Sequence, residues 1–234
     1  MIHLIPVPLS PETPVSVLSG MIPELVQRVR CFIVEDLRTA RRFIRKCGYP
    51  GDFSDIEFLE IKSSTPSETI KTFLKKNLQQ EIGLLSESGM PCIADPGASV
   101  VWIAHSLNIS VQPLPGPNSI MLTLAGSGFN GQNFTFHGYL PIHQNELIQK
   151  IRQIETDLKK TGATHLFIET PHRTQSLYEE ILKTCDDKTA LCLGINLGLE
   201  SENILSKNIF EWKKNQLQIN KQLIVFALGK PMLV

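Results

Sequence analysis

The chain has 234 residues, 42% hydrophobic and 20% charged, enough to bury one large core or two modest ones. Its 23 basic and 23 acidic side chains cancel, which excludes a global field for nucleic acid and confines any such contact to a local patch. No apolar run reaches the ~18 residues of a membrane span, and Met1-Ile2-His3-Leu4 does not read as a signal peptide. Five cysteines without a Cys-x-x-Cys pair argue against disulfides and zinc, so a reducing, cytoplasmic setting is expected.

Residues 2–7 read as a first strand running into a proline-rich loop. Apolar residues at 18, 21, 22, 25, 26 and 29 predict a helix within 15–29, and 31–34 a second strand. The next helix carries Leu37, Ala40, Phe43, Ile44 and Cys47 on one side and Arg38, Arg41, Arg42 and Arg45 on the other, with Gly48 closing it. A third strand is expected in 56–61. Thr65-Pro66-Ser67-Glu68 then predicts a capped helix whose buried stripe is Ile70, Phe73, Leu74 and Leu78.

Residues 82–97 organise the chain. A buried strand at 82–85 passes into small and turn-forming residues, then into Asp95-Pro96, the start of a helix bearing Val100, Val101, Ile103, Ala104 and Leu107. Open α/β sheets place ligands in such strand-to-helix loops. A strand at 110–114 follows, and Pro115-Gly116-Pro117-Asn118-Ser119 marks a domain boundary, giving α/β domains 1–114 and 115–234.

In the second domain, a helix capped by Asn118 or Ser119 precedes a strand at 134–140. Leu147, Ile151, Ile154 and Leu158 predict a helix stopped by Gly162. A strand at 166–169 leads to Thr170-Pro171 as a second cap-then-proline start, with Leu177, Ile181 and Leu182 on the buried side. Strands at 190–195 and 223–228 complete the set, and 196–221 is expected to hold a paired strand with a hairpin. There is no internal repeat, and no Gly-x-Gly-x-x-Gly dinucleotide fingerprint.

Charged residues at strand ends are the candidates for chemistry. Glu35 and Asp36 could take a proton and Arg38 could grip a phosphate; acidic residues favoured by a helix dipole and an exposed salt bridge account for them as well. The stripe of Arg38, Arg41, Arg42 and Arg45 suits RNA or is simply a solvated face. Glu169, His172 and Arg173 repeat the strand-end pattern, while His137 and Cys92 read as packing residues.

Four segments, Ser-Glu-Ser-Gly-Met-Pro-Cys-Ile-Ala-Asp-Pro-Gly (86–97), Pro-Leu-Pro-Gly-Pro-Asn-Ser (113–119), Phe-His-Gly-Tyr-Leu-Pro (136–141) and Ile-Glu-Thr-Pro-His-Arg (168–173), occur in this order. Together they resemble the tetrapyrrole methylase superfamily, and within it the ribosomal RNA small-subunit methyltransferase I group, which methylates a cytidine 2′-hydroxyl. The resemblance implies two α/β domains with S-adenosylmethionine between them, a homodimer, and RNA as partner. It implies cofactor contacts from Ser86, Ser88, Gly89, Met90, Pro91, Ile93, Asn118, Ser119, Ile168 and Glu169, and a catalytic set drawn from Glu35, Asp36, Arg38, Glu169 and His172, with no metal. The group's Thr-Pro-Ile-Gly-Asn-Leu loop is Val7-Pro8-Leu9-Ser10-Pro11-Glu12 here, its Glu-Asp-Thr-Arg is Glu35-Asp36-Leu37-Arg38, and its His-Glu-Asn segment is replaced within 62–66. The rival expectations are carbon methylation of a tetrapyrrole and a module that binds the methyl donor without chemistry.

Overall fold

The computed structural model describes residues 1–231. They form two compact units, Met1–Asn118 and a second beginning at Ser119. In the first, β1 (Ile2–Ile5), α1 (Met21–Arg28), β2 (Cys31–Val34), α2 (Leu37–Lys46), β3 (Glu57–Glu60), α3 (Ser67–Lys76), β4 (Ile82–Leu85), α4 (Gly97–Ser106) and β5 (Val111–Pro113) follow one another. The five strands form an all-parallel sheet in the order β3-β2-β4-β1-β5.

β1, β2 and β4 are buried along their whole length, as short continuous apolar runs covered on both faces must be. Ile5, Phe32, Val34 and Leu85 face α1 and α2, packing on Ile22, Val26, Phe43 and Ile44. Ile2, Ile33, Ile82 and Leu84 face the other way, onto Ile70 and Leu74 of α3 and Val100 and Ala104 of α4.

The second unit runs α5 (Ser119–Ser127), β6 (Phe134–Tyr139), α6 (Gln144–Thr161), β7 (Thr164–Ile168), α7 (Thr174–Thr184), β8 (Ala190–Ile195), β9 (Asn203–Asn208), α8 (Ile209–Lys214) and β10 (Ile224–Gly229). Its sheet has the order β6-β7-β10-β8-β9, parallel only at β6–β7. The expected α/β class with two sheets is what the chain adopts. Among the described residues no helix is long and apolar enough to cross a membrane.

Several local expectations are corrected. The helix expected within 15–29 is a 3-10 turn at Val15–Val17 followed by α1, whose N-cap is Gly20. Thr65 does not cap α3: its hydroxyl accepts the Lys62 N–H at 2.7 Å, so the cap position falls to Pro66, which offers no side-chain acceptor. Leu78 lies beyond α3 and is 50% exposed. Thr170 does not start α7, because Glu169 Oε1 accepts both its N–H, at 2.7 Å, and its hydroxyl; a turn intervenes and α7 begins at Thr174. Within 196–221 the paired strand exists, as β9 against β8, but it leads into α8 with a capping box between Asn208 and Glu211.

The strand pairing of β6 and β7 also builds a histidine pair. His165 is 1% exposed, and its Nδ1 lies 2.9 Å from His137 Nε2, with the rings stacked at 14°. Its Nε2 lies 3.3 Å from Asp157 Oδ2 on α6. Burial lowers the affinity of both rings for protons, taking His137 to about 4 with help from the Lys150 and His165 charges and against Asp157. The unfolded chain therefore protonates first: stability is whole above the ordinary histidine value and is lost as pH falls toward 4. Allowing for solvent screening at half-buried His137, we expect urea denaturation to show a loss of about 2 kcal/mol between pH 7 and 4.5, much of it absent in His137→Gln.

Candidate functional site

The strand register of the first unit aligns Ile5 with Leu85, Leu85 with Val34 and Val34 with Glu60, so the carboxyl ends of four strands share one edge. The chain leaves β2 toward β3 and leaves β4 toward β5, so the outgoing connections of these two neighbours diverge. That divergence is the switch point at which a parallel sheet opens a crevice.

Side chains and backbone stitch the loops there together. Val7 N–H donates to the Gly89 carbonyl at 3.0 Å, and Ser88 Oγ to the Leu9 carbonyl at 2.8 Å. Ser86 Oγ donates to the Ser88 and Gly89 carbonyls at 3.3 and 3.2 Å. The Ser88 hydroxyl thus binds the loop after β4 to the loop after β1, while the Ser86 hydroxyl closes the turn within the loop after β4. Gly89 sits at φ +69°, and a Cβ there would stand 3.0 Å from the Pro117 carbonyl oxygen and 3.1 Å from Leu9 Cδ2. The loop after β4 therefore meets those after β1 and β5 where only glycine fits. Pro91 is buried, Met90 partly so, and Ile93 is 40% exposed. Asn118, the last residue of this unit, is buried.

The two acidic candidates separate chemically. Asp36 caps α2, its Oδ1 accepting the Thr39 N–H at 2.7 Å, and this bond first of all holds its carboxyl below the usual range. Glu35 is pushed up, first by burial and then by Glu87, Asp95 and Asp36, while the Glu87 N–H, donating at 3.3 Å, pulls the other way. Four carboxylates thus share one sheet edge, a field suited to a cation. Asp95, expected from sequence as the cap of α4 with Pro96 its first residue, lies one residue before the cap position, which is Pro96, and accepts the Cys92 and Gly97 N–H groups at 2.8 and 2.7 Å. Burial and the Asp95 charge raise the Cys92 thiol to about 12, so it stays neutral.

The α2 helix carries five cations and no acid. All five are exposed, and two of them also meet aromatic rings. Arg41 lies 5.6 and 5.5 Å from the rings of Phe53 and Phe58, and Arg45 lies 4.8 Å from Phe53 while donating to the Tyr49 carbonyl. Lys46 donates to the Pro11 carbonyl. Arg42 borders an open groove lined also by Val7, Ser10, Thr39, Phe43, Ser86 and Glu87. Sequence spacing gave no sign of this groove, which needs the β1 loop folded against α2.

In the second unit, Ser119 opens α5, and its carbonyl accepts the Thr123 hydroxyl. Ile168 ends β7 half-buried; Glu169 beside it is buried, its Oε2 3.1 Å from Arg173 Nη2. With Oε1 spent on Thr170, that carboxylate holds the β7–α7 turn. His172 is exposed.

Among relatives, a ribosomal RNA small subunit methyltransferase I of Helicobacter pylori is 29% identical over 192 residues, covering 76% of this chain and 64% of its own length. One of Thermotoga maritima is 30% identical over 163 residues, covering 70% of this chain and 69% of its own. This chain therefore spans about two thirds of their length. A crystal structure of diphthine synthase superposes with a TM-score of 0.67 at 13% identity, over 100% of this chain and 91% of that one, and shares the fold. The model of the family described as Tetrapyrrole (Corrin/Porphyrin) Methylases matches residues 24–212, and the chain belongs to that family.

Proposed function

We propose that the chain is an S-adenosylmethionine-dependent methyltransferase that methylates a ribose 2′-hydroxyl of small-subunit ribosomal RNA. The observation that carries this reading is the stitched switch-point edge of the first unit, where Glu35, Asp36, Glu87 and Asp95 surround the loop after β4. The residues present fit the methyl donor: its sulfonium and ammonium charges suit a carboxylate-rich edge, and exposed Ile93 with Met90 offers an apolar face to adenine. When bound, it supplies a methyl group on sulfur that is already a strong electrophile.

The chain must then orient a hydroxyl and remove its proton. Glu35, whose carboxyl holds a proton more readily than an ordinary one, is the base of this set; Asp36 is occupied as a cap. Arg38 and Arg42, exposed on α2 and outside the contacts with Phe53 and Phe58, hold RNA phosphates, and the 30% identity to the Thermotoga relative supports RNA as acceptor. A cytosolic homodimer completes the reading, supported by five free cysteines, four of them buried, and by the family resemblance; sedimentation tests the dimer.

The test is incubation with labelled S-adenosylmethionine and small ribosomal subunits lacking this methylation. Label in a ribose of the RNA is expected. Label in a precorrin instead would favour tetrapyrrole chemistry, and binding of S-adenosylhomocysteine with transfer to neither would favour a module without catalysis. The double variant Arg38→Ala, Arg42→Ala should bind the RNA about tenfold more weakly, with a salt slope shallower by about one to two. Arg41→Ala with Arg45→Ala should instead cost about 1–2 kcal/mol of stability in urea, from the lost cation–aromatic contacts.

A further inference from the structure

We infer that Asp95 is a positioning residue, whose carboxylate holds the loop between β4 and α4 in the shape that receives the methyl donor. The inference rests on the reading of that loop as the donor's seat. Within three residues the loop holds Cys92 at φ +70° and Ala94 at φ +63°. Neither side chain offers the local hydrogen bond that lets asparagine occupy this region, so both residues are strained there. A segment left to itself would relax to ordinary backbone angles.

The Asp95 carboxylate opposes that relaxation. Its Oδ1 takes the Gly97 N–H at 2.7 Å and its Oδ2 the Cys92 N–H at 2.8 Å, so one ionised group spans the turn from the strained loop to the first residue of α4. Hydrogen bonds to a charged acceptor are stronger than neutral ones. The Gly97 bond alone would turn the chain into α4, whose cap position is Pro96; the second oxygen is committed to the loop.

The packing around the carboxylate is built for this close approach. A Cβ on Gly97 would stand 2.9 Å from Asp95 Oδ1, 3.1 Å from Leu84 Cδ2 and 3.2 Å from Cys92 Sγ. Asp95 also borders the same narrow crevice as Glu35, Ser86 and Pro91, at the sheet edge described above. Holding Met90 to Ile93 in a single arrangement before binding removes an ordering cost that the donor would otherwise meet.

The test compares native chain, Asp95→Ala, and Asp95→Ala with Ala94→Gly, by calorimetry with S-adenosylhomocysteine and by thermal unfolding. Asp95→Ala should raise Kd at least tenfold and the Michaelis constant for S-adenosylmethionine in parallel. Glycine at 94 removes the left-handed strain that Asp95 restrains, so the double variant should recover at least a third of the lost affinity on a logarithmic scale. A purely structural cap would show no such rescue. Should Asp95→Ala fail to fold, Asp95→Asn, which keeps one acceptor and the shape, should raise Kd at least threefold. Equal Kd in native and variant chains overturns the positioning role and leaves the donor's seat standing; no heat from the native chain overturns both.

Discussion

Replacing Gly89 by valine should abolish detectable binding of S-adenosylhomocysteine and cost about 3 kcal/mol of folding stability. Two penalties combine at this position. The backbone is left-handed, at φ +69°, where a β-branched residue is a severe outlier. The new Cβ would also meet the Pro117 carbonyl oxygen at 3.0 Å and Leu9 Cδ2 at 3.1 Å, two atoms on separate loops. Movement of Gly89 would carry its carbonyl away from the Val7 N–H and the Ser86 hydroxyl, undoing the stitch between the loops after β1 and β4. Gly128 supplies the control. It has φ +73° but nothing within 4 Å of a Cβ, so alanine there meets strain without crowding and should cost only about 1 kcal/mol, with binding untouched. Urea denaturation and calorimetry on both variants separate the terms. If the valine variant binds as the native chain does, the loop after β4 is not where the donor sits.

The framework was legible in the sequence wherever one short segment decides its own fate. β2 and β4 begin and end where their apolar runs do, and Leu147, Ile151, Ile154 and Leu158 are all buried on α6, which Gly162 ends in a left-handed conformation. Helix starts were less legible, because a cap depends on which partner reaches the hydroxyl or carboxylate first: Thr65 is taken by Lys62, and Thr170 by Glu169. The α8 capping box was readable as Asn208-x-x-Glu211, but the polar stretch around it hid the buried faces of Ile209 and Trp212. Long-range features were not legible at all. Helical spacing places Arg41 and Arg45 with Arg38 and Arg42, yet the aromatic rings that claim two of them come from residues 53 and 58. The pairing of His137 with His165 needs the β6–β7 register, which brings Thr135 opposite His165. At the site, the strand–turn–Asp-Pro pattern marked the loop, but the second bond made by Asp95 and the groove beside α2 depend on tertiary folding.

Glu35→Gln should lower kcat on the RNA about a hundredfold while leaving the Kd for S-adenosylhomocysteine within about threefold. A ribose hydroxyl is a poor nucleophile until its proton is taken, and neutral glutamine keeps the shape and the acceptor for the Glu87 N–H without taking a proton. The pH profile gives the sharper discrimination. Burial and the neighbouring Glu87, Asp95 and Asp36 charges raise the Glu35 carboxyl, so at low pH it stays protonated and inactive as a base. The native rate should therefore climb with pH through a value above the ordinary carboxylate range and then level off, and the glutamine variant should lose that climb. Asp36 should behave oppositely. Its carboxyl lies below the usual range because it is bound to the Thr39 N–H, so Asp36→Ala should remove a helix cap, costing about 1 kcal/mol, and change kcat only a few fold. The environments of these adjacent acids push their proton affinities apart, which is how a pair of like groups comes to divide catalytic and structural duties. A hundredfold loss in the Asp36 variant with none in the Glu35 variant would reverse the assignment. No loss in either would place the base outside this edge.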